Sequence, residues 1–305
     1  MLDKFLTSFD KAINYCMAVF FLLLILIGGY AFFDSYMVYD NVRLNDEIIG
    51  LKPKTNDHNK LDSLREVNPD VDGWITIFET TIDYPIVHSK DNLEYLNLDY
   101  ERKYSIGGSV FIDYRNSRDF EDDYTVTYGH NMTTGQMYSD IKKYEDLGYF
   151  SQHLHGVLYT NDDVYKLEIM YLAKVNAYED NIYDLITYAN GRNDELVEKI
   201  AKKAKRTNLV NGYDKLLLLS TCDSYGSNDR TVLLAAVKKT DEDEIKTIEE
   251  SVKANVTTEN NEVQGGGGMF KRFLDFWWVV LIVVVALVVL GIVKRCFKKK
   301  KSKQD

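Results

Sequence analysis

Cys222 and Arg230 are the residues of this chain best placed to do covalent chemistry. The run Leu216-Leu217-Leu218-Leu219-Ser220-Thr221-Cys222 reads as a buried strand that ends on a thiol. A polar loop follows, Asp223-Ser224-Tyr225-Gly226-Ser227-Asn228-Asp229, and Arg230 opens a second apolar run, Thr231-Val232-Leu233-Leu234-Ala235-Ala236-Val237. A strand, a short loop and a strand bring thiol and guanidinium to the same end of a sheet. There a thiolate could attack a carbonyl beside a fixed cation. The competing reading is a packed cysteine, because a free thiol behaves as a small hydrophobe.

A cysteine nucleophile also needs a base, and histidine is the usual one. Of five histidines, His58 lies in a polar linker, His88 ends a strand, and His153 and His155 flank a helix end. These four read as surface or capping residues. His130 directly follows a strand, in Tyr128-Gly129-His130-Asn131-Met132, where Gly129 lets the backbone bend. Strand-end loops carry functional groups while the sheet holds them still. No His-x-x-x-His or Cys-x-x-Cys pair suggests a metal, and no Gly-rich phosphate loop suggests a nucleotide, so no cofactor is expected. Ser220 lacks the Gly-x-Ser-x-Gly surroundings of a serine nucleophile.

These residues must be held by elements, and two segments are set apart first. Ala12 to Phe33 and Phe276 to Val293 are uncharged and apolar, each near the ~20 residues that cross a bilayer. The first has no convincing small-residue cleavage site and reads as an uncleaved anchor. Lys294, Arg295, Lys298, Lys299, Lys300, Lys301 and Lys303 follow the second span, with only Lys271 and Arg272 just before it. That bias puts the C-terminus, and by two crossings the N-terminus, in the cytoplasm. The portion from about residue 34 to 268 then lies outside the cell. The chain of 305 residues carries 47 acidic against 37 basic side chains, and this acidity argues against nucleic-acid binding. Cys16 lies in the first span and Cys296 beside the second, so the external portion has one thiol and no internal disulfide. An exported domain without disulfides suits a Gram-positive surface, and its lone thiol suits a reactive role.

Between the spans the pattern is mainly β. Strands are expected at Trp74 to Phe78, Ile82 to Val87, Ser109 to Tyr114, Tyr124 to Tyr128, Gly156 to Thr160 and Val164 to Ala177, besides the two flanking Cys222. Pro85 marks its strand as an edge or a strand start. Helices are expected at Lys60 to Val67, Asn92 to Leu98, Thr134 to Tyr144, Tyr149 to Leu154 and Asp241 to Lys253, with a helical insert from Asn181 to Arg206. About eight short strands point to a closed barrel or a sandwich.

The combination of Gly129-His130-Asn131, Ser220-Thr221-Cys222 and Arg230 resembles the signature of the sortases. Tyr128 through Met132, Gly135 through Tyr144, and Asn68-Pro69-Asp70-Val71-Asp72-Gly73-Trp74-Ile75 are similar to class B members in particular, as is the insert ahead of the cysteine strand. The likeness covers most of Leu61 to Lys239. Leu218 stands where the family often has threonine. The resemblance implies a fold that is mainly β with helical insertions, an eight-stranded sortase-type barrel, here flanked by the two transmembrane helices expected from the apolar segments. It also implies a cysteine transpeptidase that processes cell-wall sorting signals. Cys222 would form the thioacyl enzyme, His130 would act as acid and base, and Arg230 would orient substrate and stabilise the oxyanion. Ser220, Thr221, Tyr128 and Asn131 are adjacent enough to be substrate contacts. A C-terminal span with a basic tail resembles pilin-polymerising members, yet their Asp-Pro-aromatic lid motif has no counterpart here.

The expected organisation is a cytoplasmic start (about residues 1–11), a span (12–33), a stalk (34–60), the catalytic domain (61–240), an acidic and Gly-rich linker (241–275), a span (276–293) and a basic tail (294–305). Sorting-signal peptides of surface proteins or pilins are the expected acyl donors, and a pilin lysine or a peptidoglycan cross-bridge amine the acceptor. Pilin polymerisation is favoured, with cell-wall anchoring second. A membrane-tethered binding module with a packed Cys222 is the alternative outside enzymes, and a hydrolytic cysteine peptidase the alternative within them.

Overall fold

In the computed structural model, nine strands pair into one sheet, and the first and last of eight of them meet to close it. The structure describes residues 2–53, 59–188, 191–222 and 228–262. The strands are β1 (Val71–Ile77), β2 (Asp83–Val87), β3 (Val110–Ile112), β4 (Tyr124–Tyr128), β5 (His155–Tyr159), β6 (Val164–Asn176), β7 (Ala204–Thr207), β8 (Lys215–Cys222) and β9 (Asp229–Thr240). Their order is β5-β1-β2-β3-β4-β8-β9-β6, and the β5–β6 pairing completes the ring. The expected eight-stranded barrel is present, with β7 added beside β6. Closure removes the unpaired edges that an open sheet of this size would expose.

Residue parity sorts the side chains into two cores. Leu217 and Leu219 of β8 and Leu233, Ala235 and Val237 of β9 join Ile75, Ile112 and Leu158 from other strands in the barrel interior. Leu216 and Leu218, with Val232, Leu234 and Ala236, instead meet Leu185, Tyr188, Leu196 and Ile200 outside the barrel. The four leucines of β8 are at most 1% exposed. Burying each is worth roughly 1.5–3 kcal/mol, so this strand is a rigid support for whatever follows it.

Two pairings are parallel, β2 with β3 and β4 with β8. Pro85 therefore does not mark an edge: it faces Trp74 of β1, and the ladder to β3 begins one residue later at Ile86. The missing N–H of Pro85 removes no bond on that side.

The helices are α1 (Leu2–Val42), α2 (Asp46–Gly50), α3 (Asn59–Val67), α4 (Leu147–Gln152), α5 (Leu185–Tyr188), α6 (Asn193–Lys203) and α7 (Glu242–Glu262). The expected helical insert is really α5, a turn containing Gly191 at φ +75°, then α6 and β7. In place of a helix over Thr134 to Tyr144, only Ser139–Glu145 winds, as a 3-10 turn; Met137, at φ +56°, breaks the earlier part.

Within α1 the segment Thr7–Asp40 is long and apolar enough to cross a membrane, with mean hydropathy 2.5 over an 18-residue window. Among the described residues it is the one such helix, and the expected second span and the Gly-rich end of the expected linker lie outside them. Contacts divide the chain into Met1–Lys253, which holds the barrel, and Ala254–Asp305.

Candidate active site

The barrel brings the three sequence-derived residues to one end. β4 and β8 run parallel with Tyr128 opposite Ser220, and Gly129 N–H donates to Ser220 O at 3.2 Å. Cys222 ends β8 two residues past Ser220, and His130 follows the end of β4 two residues past Tyr128. Cys222 is in turn the cross-strand partner of Arg230 in the β8–β9 ladder. Positions 222 and 230 share the parity of Leu216, Leu218, Val232 and Leu234, whose face is covered by the insert. The loop residues 223–227 lie outside the described residues.

Gly129 is required where it stands. A Cβ there would lie 2.6 Å from Cγ of the fully buried Tyr138. Tyr138 in turn donates its hydroxyl to Thr127 Oγ1 at 2.9 Å, and its N–H bonds His130 O at 3.0 Å. The backbone thus turns tightly over a tyrosine just before the histidine. The half-buried His130 ring places Nε2 2.9 Å from Leu96 O. Leu96 closes a 3-10 turn, Glu94–Leu96, which is packed from behind by Gly108 at φ +56°, where a Cβ would meet Tyr95 O at 2.4 Å.

The residues expected to touch substrate separate into two groups. Tyr128 and Asn131 are half-buried beside His130, whereas Ser220 and Thr221 are 1% and 2% exposed. Ser220 Oγ is within 2.8 Å of Tyr183 OH, and the Tyr183 ring stacks on Tyr128 with centroids 6.1 Å apart. Thr221 Oγ1 is buried without a hydrogen-bond partner among the described residues. Tyr183, Asn92 and Asp113 were missed from sequence. Tyr183 comes from the insert, and only the tertiary fold carries it to a strand 37 residues away.

Arg230 is half-buried and donates from Nη1 to Asp229 O at 3.1 Å. It is the cation beside position 222. Asp113, at the end of β3, is fully buried. Burial pushes its carboxyl up, but the Arg115 guanidinium, the Arg115 N–H and the Tyr128 hydroxyl outweigh that and hold it below the usual carboxylate range. Burial, reinforced by the Asp113 charge, pushes the Tyr128 hydroxyl far up, so it stays a donor.

The other described histidines are structural, and His153 is the C-cap residue of α4. His153 is 5% exposed, stacks on Tyr149 at 3.9 Å and points Nδ1 at Tyr149 O, 2.6 Å away. The His88 side chain lies 3.3 Å from the fully buried Asp72. His155 is half-buried, its pKa lowered by burial, and His58 is outside the described residues. No cluster of three metal-ligating residues occurs among the described residues. A cleft of about 530 Å³ lies against the β1–β2 turn, but none of the candidate residues lines it. Its lysines are already paired, Lys52 with Asp83 at 2.8 Å and Lys143 with Asp140 at 2.7 Å.

No protein-family model matches the chain. Sortase B of Listeria monocytogenes is 35% identical over 169 residues, covering 54% of this chain and 68% of that one. The crystal structure of sortase B from B. anthracis superposes with a TM-score of 0.57 at 27% identity, over 68% of this chain and all of that one. A Streptococcus pyogenes class B sortase involved in pilus biogenesis superposes with a TM-score of 0.54 at 28% identity, over 60% of this chain and all of that one. With these relatives, the closed barrel is that of a cysteine transpeptidase. The chain belongs to the sortase family, and its catalytic domain is class B-like.

Proposed function

We propose that this sortase is anchored by α1, cleaves the C-terminal sorting signal of exported proteins through Cys222, and transfers them to an amine in pilin polymerisation. The observation that carries the site assignment is the register. Cys222 pairs with Arg230, and both sit at the strand end from which His130 emerges. In this reading the Cys222 thiolate attacks the carbonyl carbon of the signal's scissile residue. A C–S bond forms, the C–N bond breaks, and His130 gives a proton to the departing amine. The acceptor amine then loses a proton to His130, attacks the thioester and frees the thiolate. Arg230 holds the carbonyl oxygen while it carries negative charge, where a fixed donor is worth most.

Tyr128, Asn131, Ser220 and Thr221 line or back the acyl groove, Ser220 through its contact with Tyr183. The expected boundaries, with a catalytic domain over about 61–240 between two tethers and both termini inside, complete the proposal. Two tethers keep the site near membrane-retained precursors, which raises their effective concentration. Likeness to the S. pyogenes pilus-biogenesis sortase supports a pilin acceptor.

The test is cleavage of fluorogenic sorting-signal peptides by the full chain and its Cys222→Ala variant, with products identified by mass spectrometry. Cleavage surviving in Cys222→Ala would sink the site assignment. Products joined to a cross-bridge amine in preference to a pilin lysine would move the reading to cell-wall anchoring. Free acid in the presence of either amine would make the protein a peptidase.

A further inference from the structure

One buried carboxylate touches three walls of the candidate site. Asp113 Oδ1 accepts from Arg115 Nε at 2.8 Å and from Arg115 N at 3.1 Å. Asp113 Oδ2 accepts from Arg115 Nη2 at 2.8 Å, Asn92 Nδ2 at 3.0 Å and Tyr128 OH at 2.8 Å. Its lone pairs are therefore fully used, with no solvent exposure. The surrounding residues carry these bonds toward the reacting groups. Asn92, also held by Tyr114 N at 2.9 Å, lies four residues before Leu96, whose carbonyl meets the His130 ring. Tyr128 lies two residues before His130, and its ring is clasped by Phe111 at 5.3 Å and by Tyr183 at 6.1 Å. Tyr183 reaches Ser220, two residues before Cys222.

We propose that Asp113 is a positioning residue for the transpeptidation, a hub that sets the His130 ring and the Cys222 strand end relative to each other. This rests on the assignment of Cys222 and His130 given above. The hub is built for that task because each spoke is short and rigid. A carboxylate charge-paired with Arg115 cannot rotate without breaking two parallel bonds, and a tyrosine ring clasped between aromatics has few other rotamers. The Asp113 charge also orients the Tyr128 hydroxyl toward the hub. Substrate need not touch Asp113 for the effect to be large, since a misplacement of about 1 Å can cost on the order of 10²-fold in rate.

The experiment compares Asp113→Asn, Tyr128→Phe and the double variant, each as the full chain. Turnover of a sorting-signal peptide is normalised to the folded fraction read from urea titration of each variant, which removes loss through unfolding. Expected is a fall in normalised kcat of about 10²-fold for Asp113→Asn. About tenfold is expected for Tyr128→Phe, which loses one charge-assisted bond. KM should stay within about twofold in both, because neither change removes a ground-state contact. The double variant should be no slower than Asp113→Asn alone, since the tyrosine hydroxyl acts through the carboxylate. Wild-type normalised kcat in both single variants, losses confined to KM, or multiplicative losses in the double variant would overturn the hub. Where Asp113→Asn does not fold, the KM-against-kcat split of Tyr128→Phe decides by the same criterion. Cleavage retained by Cys222→Ala would remove the underlying assignment instead; a dead Cys222→Ala with unimpaired hub variants removes the hub alone.

Discussion

Cys222 and Arg230 are direct cross-strand partners, the last pair of a β8–β9 ladder that begins at Lys215 and Val237. The pairing makes their separation a property of the sheet and not of the loop between them. A guanidinium at that position has a fixed fork to offer, which a lysine ammonium lacks.

Arg230→Lys should therefore lower kcat/KM by at least about tenfold, and Arg230→Ala by about 10²–10³-fold, the range for losing one oxyanion donor. Urea midpoints should hardly move, because the ladder beyond residue 231 carries the packing. Steady-state peptide cleavage alongside urea titration checks both; an Arg230→Lys enzyme at wild-type rate would remove the fork from the mechanism.

Gly129→Ala should cost about 1–3 kcal/mol, the usual penalty for overpacking, since its Cβ would press on Tyr138 Cγ at 2.6 Å. Displacing Tyr138 also weakens its bond to Thr127 and shifts the turn that delivers His130. Chemical denaturation and cleavage rate should fall together, and a stable, fully active variant would show that the turn can relax.

The acid stability of the domain should report on Asp113, whose pKa is lowered in the fold. A depressed carboxylate stabilises the native state above its unfolded pKa of ~3.9 and loses that contribution as pH falls through the folded value. The gap in urea stability between wild type and Asp113→Asn should be level from about pH 8 to pH 5 and narrow below about pH 4. A gap that widens in acid would contradict the sign.

Gln136 ties the His130 loop to the end of α1, donating from Nε2 to Tyr39 O at 2.7 Å. Gln136→Ala should lose about 1 kcal/mol of local protection, the worth of one such bond. Hydrogen exchange over Met132 to Tyr138 in the full chain should then quicken by about fivefold. Unchanged exchange would mean that the helix end does not brace the loop.

Much of this was legible locally. Alternation located most of the strands, the Leu216–Cys222 run announced a buried strand ending on a thiol, and Gly129 before His130 announced a turn. The barrel count followed from the number of strands. Misread were places where long-range packing overrode a local cue. Pro85 looked like an edge because proline lacks an N–H, yet it sits inside the sheet where no bond from it is needed. Asn181 to Arg206 looked helical throughout, yet its last residues pair with β6 as β7.

The sequence by itself determined which groups could react, because thiol, imidazole and guanidinium chemistry belongs to residue types and to their places at strand ends. It also determined the hairpin that pairs Cys222 with Arg230, since that contact spans one short loop. Only the tertiary structure carried the His130 turn alongside the cysteine strand and joined Asp113, Asn92 and Tyr183 into one network with Tyr128. The parallel β4–β8 ladder pairs residues 92 positions apart, such as Tyr124 with Leu216, and Thr127 Oγ1 bonds Leu218 O across it. No local period encodes such a pairing; it exists because closing the barrel satisfies both strands' backbones at once.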